Sequence, residues 1–226
     1  MPADRVLVER IRAGLRAAAD PGRAPQMQAY MKSTMPYLGV RVPEVRAIVR
    51  AEAKVRSPAS TEALTATTAA LWRDATHREE RYAASALTAV PAARRLQTLA
   101  LLPLYREMIT TGAWWDHVDE VSHRIGGLLV AFPAELAPIL RDWARDPDRW
   151  LRRSAVICQV GLKEATDPGL LADTIRPNLA DPDFFLRKGI GWALRDYART
   201  EPGWVRAFAD AHELSPLSRR EALKHL

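Results

Sequence analysis

Asp146-Pro147-Asp148-Arg149-Trp150-Leu151-Arg152-Arg153 and Asp181-Pro182-Asp183-Phe184-Phe185-Leu186-Arg187-Lys188 are two copies of one phrase, set 35 residues apart. Each reads as a turn, an aspartate able to cap a helix, and a helix opening with an aromatic residue, a leucine and two cations. The same distance upstream of Trp150 lies Trp115, which also follows a turn-like Thr111-Gly112. A chance match between two common Asp-Pro-Asp turns is the plainer explanation, but it does not account for the agreement of leucine and both cations.

A recurrence of about 35–45 residues with two helices per unit is the signature of an α-solenoid of HEAT-like repeats. In such a fold each helical pair buries its apolar stripe against the next and leaves one concave surface, here a basic groove. Working outward, the rest of the chain is also helical. Val8, Ile11 and Leu15 share one face of a helix stopped by Asp20-Pro21-Gly22. Val42-Pro43-Glu44 opens another, and Thr61-Glu62 begins a third that ends near Asp74. Further helices are expected over about 77–89, 103–111, 114–130, 134–145, 149–162, 168–178, 184–199, 202–212 and 216–225. The connectors Val90-Pro91, Asp146-Pro147, Asp167-Pro168, Asp181-Pro182 and Glu201-Pro202-Gly203 are read as helix starts, since proline suits a first turn. No long linker interrupts the pattern, so one continuous domain over residues 1–226 is expected.

Composition supports an all-α chain. Hydrophobic residues make up 48% of the 226 and glycines number only 11, so a sizeable core is available and strand-like alternation is absent. With 33 basic residues against 27 acidic ones the net charge is +6, which favours an anionic partner. Cys158 is the single cysteine, excluding an intrachain disulfide and a cysteine-rich metal site. The N-terminal segment lacks the apolar core of a signal peptide, and no apolar run approaches the roughly 20 residues that span a bilayer. A monomeric cytoplasmic protein with no membrane partner is expected.

Three arrangements carry chemistry beyond packing. Trp115 and Asp119 are four apart on a helix and share a face, placing a π surface beside a carboxylate. Arg152 and Arg153 point to different azimuths of their helix, so one is available to meet a phosphate with its planar fork. Lys188, Trp192, Arg195 and Arg199 fall at helical spacings along one face, a cationic stripe with an aromatic inside it, suited to a nucleic-acid backbone. Each also has a plainer explanation, as a solvated face or a tryptophan beneath aliphatic stems. There is no glycine-rich phosphate loop and no nucleophile elbow. The five histidines are scattered without zinc-helix spacing, so no metal site is expected. Cys158, among Val156, Ile157 and Val160, reads as a small buried hydrophobe.

Together the stretches AYMKSTMPYLGVRVPEVR, REERYAASAL, WWDHVDEV, RWLRRSAVICQVGLK, FFLRKGIGWALRDYART and LSRREALKHL resemble the AlkD branch of the DNA alkylation-repair proteins, bacterial HEAT-repeat DNA glycosylases. The resemblance runs from about residue 24 to the C-terminus. It implies that Trp115, Asp119, Arg153 and Trp192 surround the lesion and that Tyr30 lies near the DNA. It also implies a DNA contact at Arg41, where close relatives would carry an uncharged polar residue. Some relatives that bind unusual DNA structures are not regarded as glycosylases, and the intact set of four argues against that subgroup.

The chemistry agrees with these roles. A purine alkylated at N3 or N7 is already cationic and leaves without a general acid. Loss of the base gives an oxocarbenium-like sugar, which calls for a nearby negative charge, π faces and a positioned water. Asp119 answers the first and last needs, Trp115 and Trp192 the second, and Arg153 a flanking phosphate. No cofactor is required. The expected partner is double-stranded DNA containing alkylated purines, held in the concave groove without capture of the base. A non-catalytic HEAT module for branched or damaged DNA and a protein–protein scaffold are the alternatives. Self-resistance to a DNA-alkylating natural product is a narrower version of the first reading.

Overall fold

The computed structural model describes residues 1–226 and contains thirteen α-helices and no strand. It divides into two compact units, Met1–Leu104 and Tyr105–Leu226. The first holds α1 (Arg5–Ala17), α2 (Ala24–Met31), α3 (Val42–Val55), α4 (Thr61–Arg73) and α5 (Arg78–Leu87). The boundary falls within α6 (Leu102–Gly112). The second unit continues with α7 (Trp115–Ala131), α8 (Pro133–Trp143), α9 (Arg149–Ile157), α10 (Pro168–Ile175), α11 (Phe184–Tyr197), α12 (Pro202–Ala211) and α13 (Pro216–Ala222).

In the second unit α7, α9, α11 and α13 stack in order as one layer, while α8 and α10 pack behind α9 and α12 behind α11. This is solenoid stacking, as the repeated phrase predicts. The two copies fold alike. Asp148 caps α9 by accepting from the Trp150 and Leu151 amides, and Asp183 caps α11 by accepting from Leu186 N. The first aspartate of each phrase holds the turn itself: Asp146 Oδ1 accepts from Asp148 N, and Asp181 Oδ1 from Asp183 N, both at 2.8 Å. Successive repeats within this unit are then tied by cations. Arg106 reaches Asp146 at 3.5 Å, and Arg152 reaches Asp181 at 2.9 Å.

Pro147 and Pro182 therefore stand before the caps rather than in the first turns, whereas Pro168 and Pro202 occupy first turns as expected. Pro91 opens a 3-10 segment, Pro91–Leu96, instead of an α-helix. Helix α9 ends at Ile157, five residues short of the expected 162. Gly161, with φ +87°, takes a left-handed conformation, and its amide donates to Asp196 at 2.6 Å. Helix α2 was not signalled by periodicity: APQMQAYM buries only Met31.

The stacking distance is set by small residues. A Cβ at Gly126 on α7 would lie 2.2 Å from the backbone oxygen of Cys158, so these segments meet at van der Waals contact of their main chains. Ser122 Oγ donates to Ser154 Oγ at 2.9 Å across the same α7–α9 contact. Beneath this layer Val156, Ile157, Leu171, Ile175, Leu186, Ile190, Leu194, Val205 and Phe208 form the apolar core, with Trp192 packed partly against it. Cys158 is buried, as its neighbours indicate, and burial pushes its thiol up to about 12. No helix is long and apolar enough to cross a membrane.

In the first unit, α5 packs against both α3 and α4, and all three pack against α1. Glu79, with no exposed surface, accepts from the Leu38, Gly39 and Val40 amides at 2.9, 2.8 and 3.1 Å. Gly39 has φ +86°, and a Cβ there would sit 2.1 Å from the Asp20 carbonyl oxygen, so only glycine fits. The segment entering α3 is thus held by a carboxylate rather than by sheet or helix pairing.

Candidate active site

Trp115, Asp119 and His123 follow one another by single turns along α7. Arg153, on α9, comes to Asp119 in a fork: Nε donates to Oδ1 and Nη2 to Oδ2, each at 2.8 Å. Arg153 Nη1 donates to the Phe185 carbonyl at the start of α11. One guanidinium therefore joins three successive helices of the layer. Its side chain is 7% exposed and that of Asp119 17%. Gly189 on α11 makes room for it, since a Cβ there would lie 3.0 Å from Arg153 Nη1.

Two effects act on Asp119. Burial pushes its carboxyl above the ordinary carboxylate value, and the Arg153 guanidinium, with a smaller contribution from His123, opposes that rise. The net displacement is upward. The pair fixes both oxygens of a carboxylate that solvent still reaches.

Trp192, half-buried on α11, meets the ring of His123 edge to face, with centroids 6.4 Å apart and planes at 82°. Trp115 is half-buried at the first position of α7. The four residues expected around a lesion thus stand on three neighbouring helices of one layer, with Asp119 bonded to Arg153. Trp114 takes a different part. It joins Trp150 and Phe185 in an aromatic cluster, with centroids 5.2 to 6.1 Å apart, beneath the starts of α9 and α11. Trp150 and Phe185, which share a place in the two phrases, are packing residues. His117 is buried and points away from the Asp119 side of its helix.

The cations of the expected DNA-binding stripe are largely committed to acids. Arg152 Nη2 donates to Asp181 at 2.9 Å and its Nη1 to the Asp146 carbonyl at 2.8 Å. Lys188 and Arg195 share one carboxylate, Glu221 of α13, with Lys188 Nζ at 3.1 Å. Hydrogen bonding from Lys188 leads the effects that hold Glu221 below its ordinary value. Arg199 lies exposed in the turn after α11. In the first unit Tyr30 is 77% exposed near the end of α2. Arg41, at the cap position of α3, donates its amide to Glu44 at 2.8 Å. Tyr30 and Arg41 line, with Arg23 and Met27, an open cavity of about 710 Å³.

His123, Glu221 and Glu79 were not singled out by the sequence. His123 had a legible signal, its spacing of four from Asp119. The partnership of Glu221 had none, because 33 residues separate it from Lys188. No group of three or more His, Cys, Asp or Glu side chains is placed to hold a metal ion.

The family model of DNA alkylation repair enzymes matches residues 11–226. The chain belongs to that family. Among solved structures, it is similar to a predicted DNA alkylation repair enzyme from Enterococcus faecalis. The TM-score is 0.82 at 31% identity, over 92% of this chain and 96% of that one. The protein smu.31 from Streptococcus mutans UA159 shares the fold, with a TM-score of 0.61 at 16% identity over 82% of this chain and 97% of that one. No curated protein matches. Membership of the DNA alkylation repair enzymes assigns the chain to enzymes that act on alkylation damage, with DNA as the partner.

Proposed function

We propose that the chain is a DNA glycosylase that hydrolyses the N-glycosidic bond of cationic N3- or N7-alkylated purines in duplex DNA. The observation that carries this reading is the Asp119–Arg153 fork, set between tryptophans on the neighbouring turns and helices. A carboxylate held at both oxygens does not swing away as the sugar turns cationic, so its field requires no reorganisation at the moment of bond breaking. Asp119 faces the sugar cation and orients the water that attacks C1′. Trp115 and Trp192 offer π faces to the same cation. Arg153 fixes Asp119 and acts through it.

The leaving base departs as a neutral purine because alkylation has already made it a cation, so no protein acid is needed. Contacts of this kind address sugar and backbone, which leaves adduct size unrestricted. Bulky N3-adenine adducts are therefore substrates in this reading, and neutral lesions such as uracil or 8-oxoguanine are poor ones. Tyr30, Arg41, Arg152, Lys188, Arg195 and Arg199 are proposed DNA contacts, and the protein is proposed to act as a monomer.

The test is incubation with duplex DNA carrying 7-methylguanine or 3-methyladenine, scoring the free base released. Retained binding with no release of either base would instead identify a non-catalytic module for damaged DNA.

A further inference from the structure

His123 is the exposed member of the α7 series, one turn beyond Asp119, with its ring against Trp192. Cations on the neighbouring helices have partners of their own. Arg153 is engaged at all three of its nitrogens by Asp119 and Phe185. Lys188 and Arg195, on the helix that brings Trp192, converge on Glu221. On α7 itself the neighbouring charged groups are Asp116, Asp119, Glu120 and Arg124, of which the last two pair at 2.6 Å. Helix α8, behind α7, directs Arg141 to Asp173 at 2.8 Å. His123 is close enough for its charge to favour the ionised form of Asp119.

A nucleotide whose sugar rests between Trp115, Asp119 and Trp192 has a phosphate on either side of that sugar. We propose that His123 donates a hydrogen bond from its imidazole to the phosphate flanking the reacting sugar, taking up a proton as the DNA binds. The proposal rests on the glycosylase reading for where the sugar sits. A titratable donor has an advantage over a permanent cation here. An arginine at this point would keep its charge in the free protein as well, where no phosphate balances it. An imidazole can gain a proton as the phosphate arrives and give it up when the DNA leaves.

The test uses the whole chain and duplex DNA containing a tetrahydrofuran abasic-site analogue, which binds without being cleaved. The imidazole signals are followed by NMR against pH with and without this duplex, the His123 signal being assigned by its loss in His123→Gln. Binding should move the His123 midpoint upward by about one unit. Between pH 8 and pH 6 the affinity of the wild type should therefore gain several-fold more than that of His123→Gln, up to about tenfold. At pH 6 the wild type should also show a steeper salt dependence, by about one counterion. His123→Arg should bind at pH 8 at least as well as the wild type, which a purely structural role for the ring would not produce. An unmoved midpoint in the complex, equal pH dependence in wild type and His123→Gln, or absence of binding would each overturn the proposal. Base release with unaltered pH-linked binding would reject His123 and leave the glycosylase reading standing. Proton-linked binding without base release from alkylated DNA would do the reverse.

Discussion

Five residues past the cap of α9 stands Arg153, and five past the cap of α11 stands Lys188. The caps are made alike, the preceding turns are held by the same bond, and both cations leave the same turn of their helix. Arg153 nevertheless turns back to Asp119 on the preceding helix of the layer and is 7% exposed. Lys188 turns forward to Glu221 on the following one and is 42% exposed. The repeat provides a position, and the neighbouring helix decides what that position does. At α7 the same place, five past the cap residue Trp114, is filled by Asp119 itself. The site therefore arises where one repeat puts a carboxylate and the next an arginine at equivalent positions, so that stacking alone brings them into register.

Substitutions along this series test the comparison. The largest effect is expected at Asp119. Asp119→Asn keeps the shape but removes the charge, and should slow single-turnover base release by about 10²–10³ while DNA binding persists. An unchanged rate would reject Asp119 as the carboxylate that acts.

Next comes Arg153→Met, which leaves a buried carboxylate without its partner. Breaking such a pair costs about 3–5 kcal/mol of stability, readable in urea unfolding, and loosening the carboxylate should cost up to about 10² in rate. The pH profile should change as well. Burial raises Asp119 and Arg153 opposes that rise. Removing the guanidinium raises the carboxyl further, so activity on the acid side should be lost at a higher pH than in the wild type. An acid limb that stays in place would mean that Arg153 does not act through Asp119.

A smaller effect is expected at Gly189, whose added Cβ would meet Arg153 Nη1 at 3.0 Å and Ile157 Cγ2 at 3.3 Å. Gly189→Ala should shift the fork by a few tenths of an ångström and slow release several-fold, about 1 kcal/mol in barrier, with unfolding little changed. The smallest belongs to Lys188→Met. An exposed pair contributes only about 0.2–1 kcal/mol, so single-turnover release at saturating protein should stay within about twofold, the lost DNA contact showing only in affinity. If Lys188→Met and Arg153→Met behaved alike, the two copies would be functionally equivalent and the contrast drawn between them would fail.

Much of this was legible in the chain. The repeated Asp-Pro-Asp phrase announced helical stacking because capping and turn chemistry are local. Trp115 and Asp119 could be assigned to one face because four residues make a turn. The fork itself was not legible. Asp119 and Arg153 are 34 residues apart, and only the stacking of α7 on α9 shows that Arg153 faces inward to the acid. Helix α2 was missed because its apolar residues follow no stripe, and α9 was extended too far because Val160 and Leu162 continue its pattern past a glycine that turns left-handed. The pairing of Lys188 and Arg195 with Glu221 lay beyond the reach of a stripe read on one helix.

The carboxylate of Glu79 has a consequence for how the first unit moves. Leu38, Gly39 and Val40 belong to no helix, yet their amides are closed off by a side chain with no exposed surface. Their protons can exchange with solvent only when that carboxylate lets go, which requires α5 to part from the segment it grips. In deuterium exchange this connector should therefore be labelled at the pace of helix interiors. Arg41, one residue further on, rides on a rigid post, and its reach toward a partner is limited by its own rotamers rather than by backbone wandering.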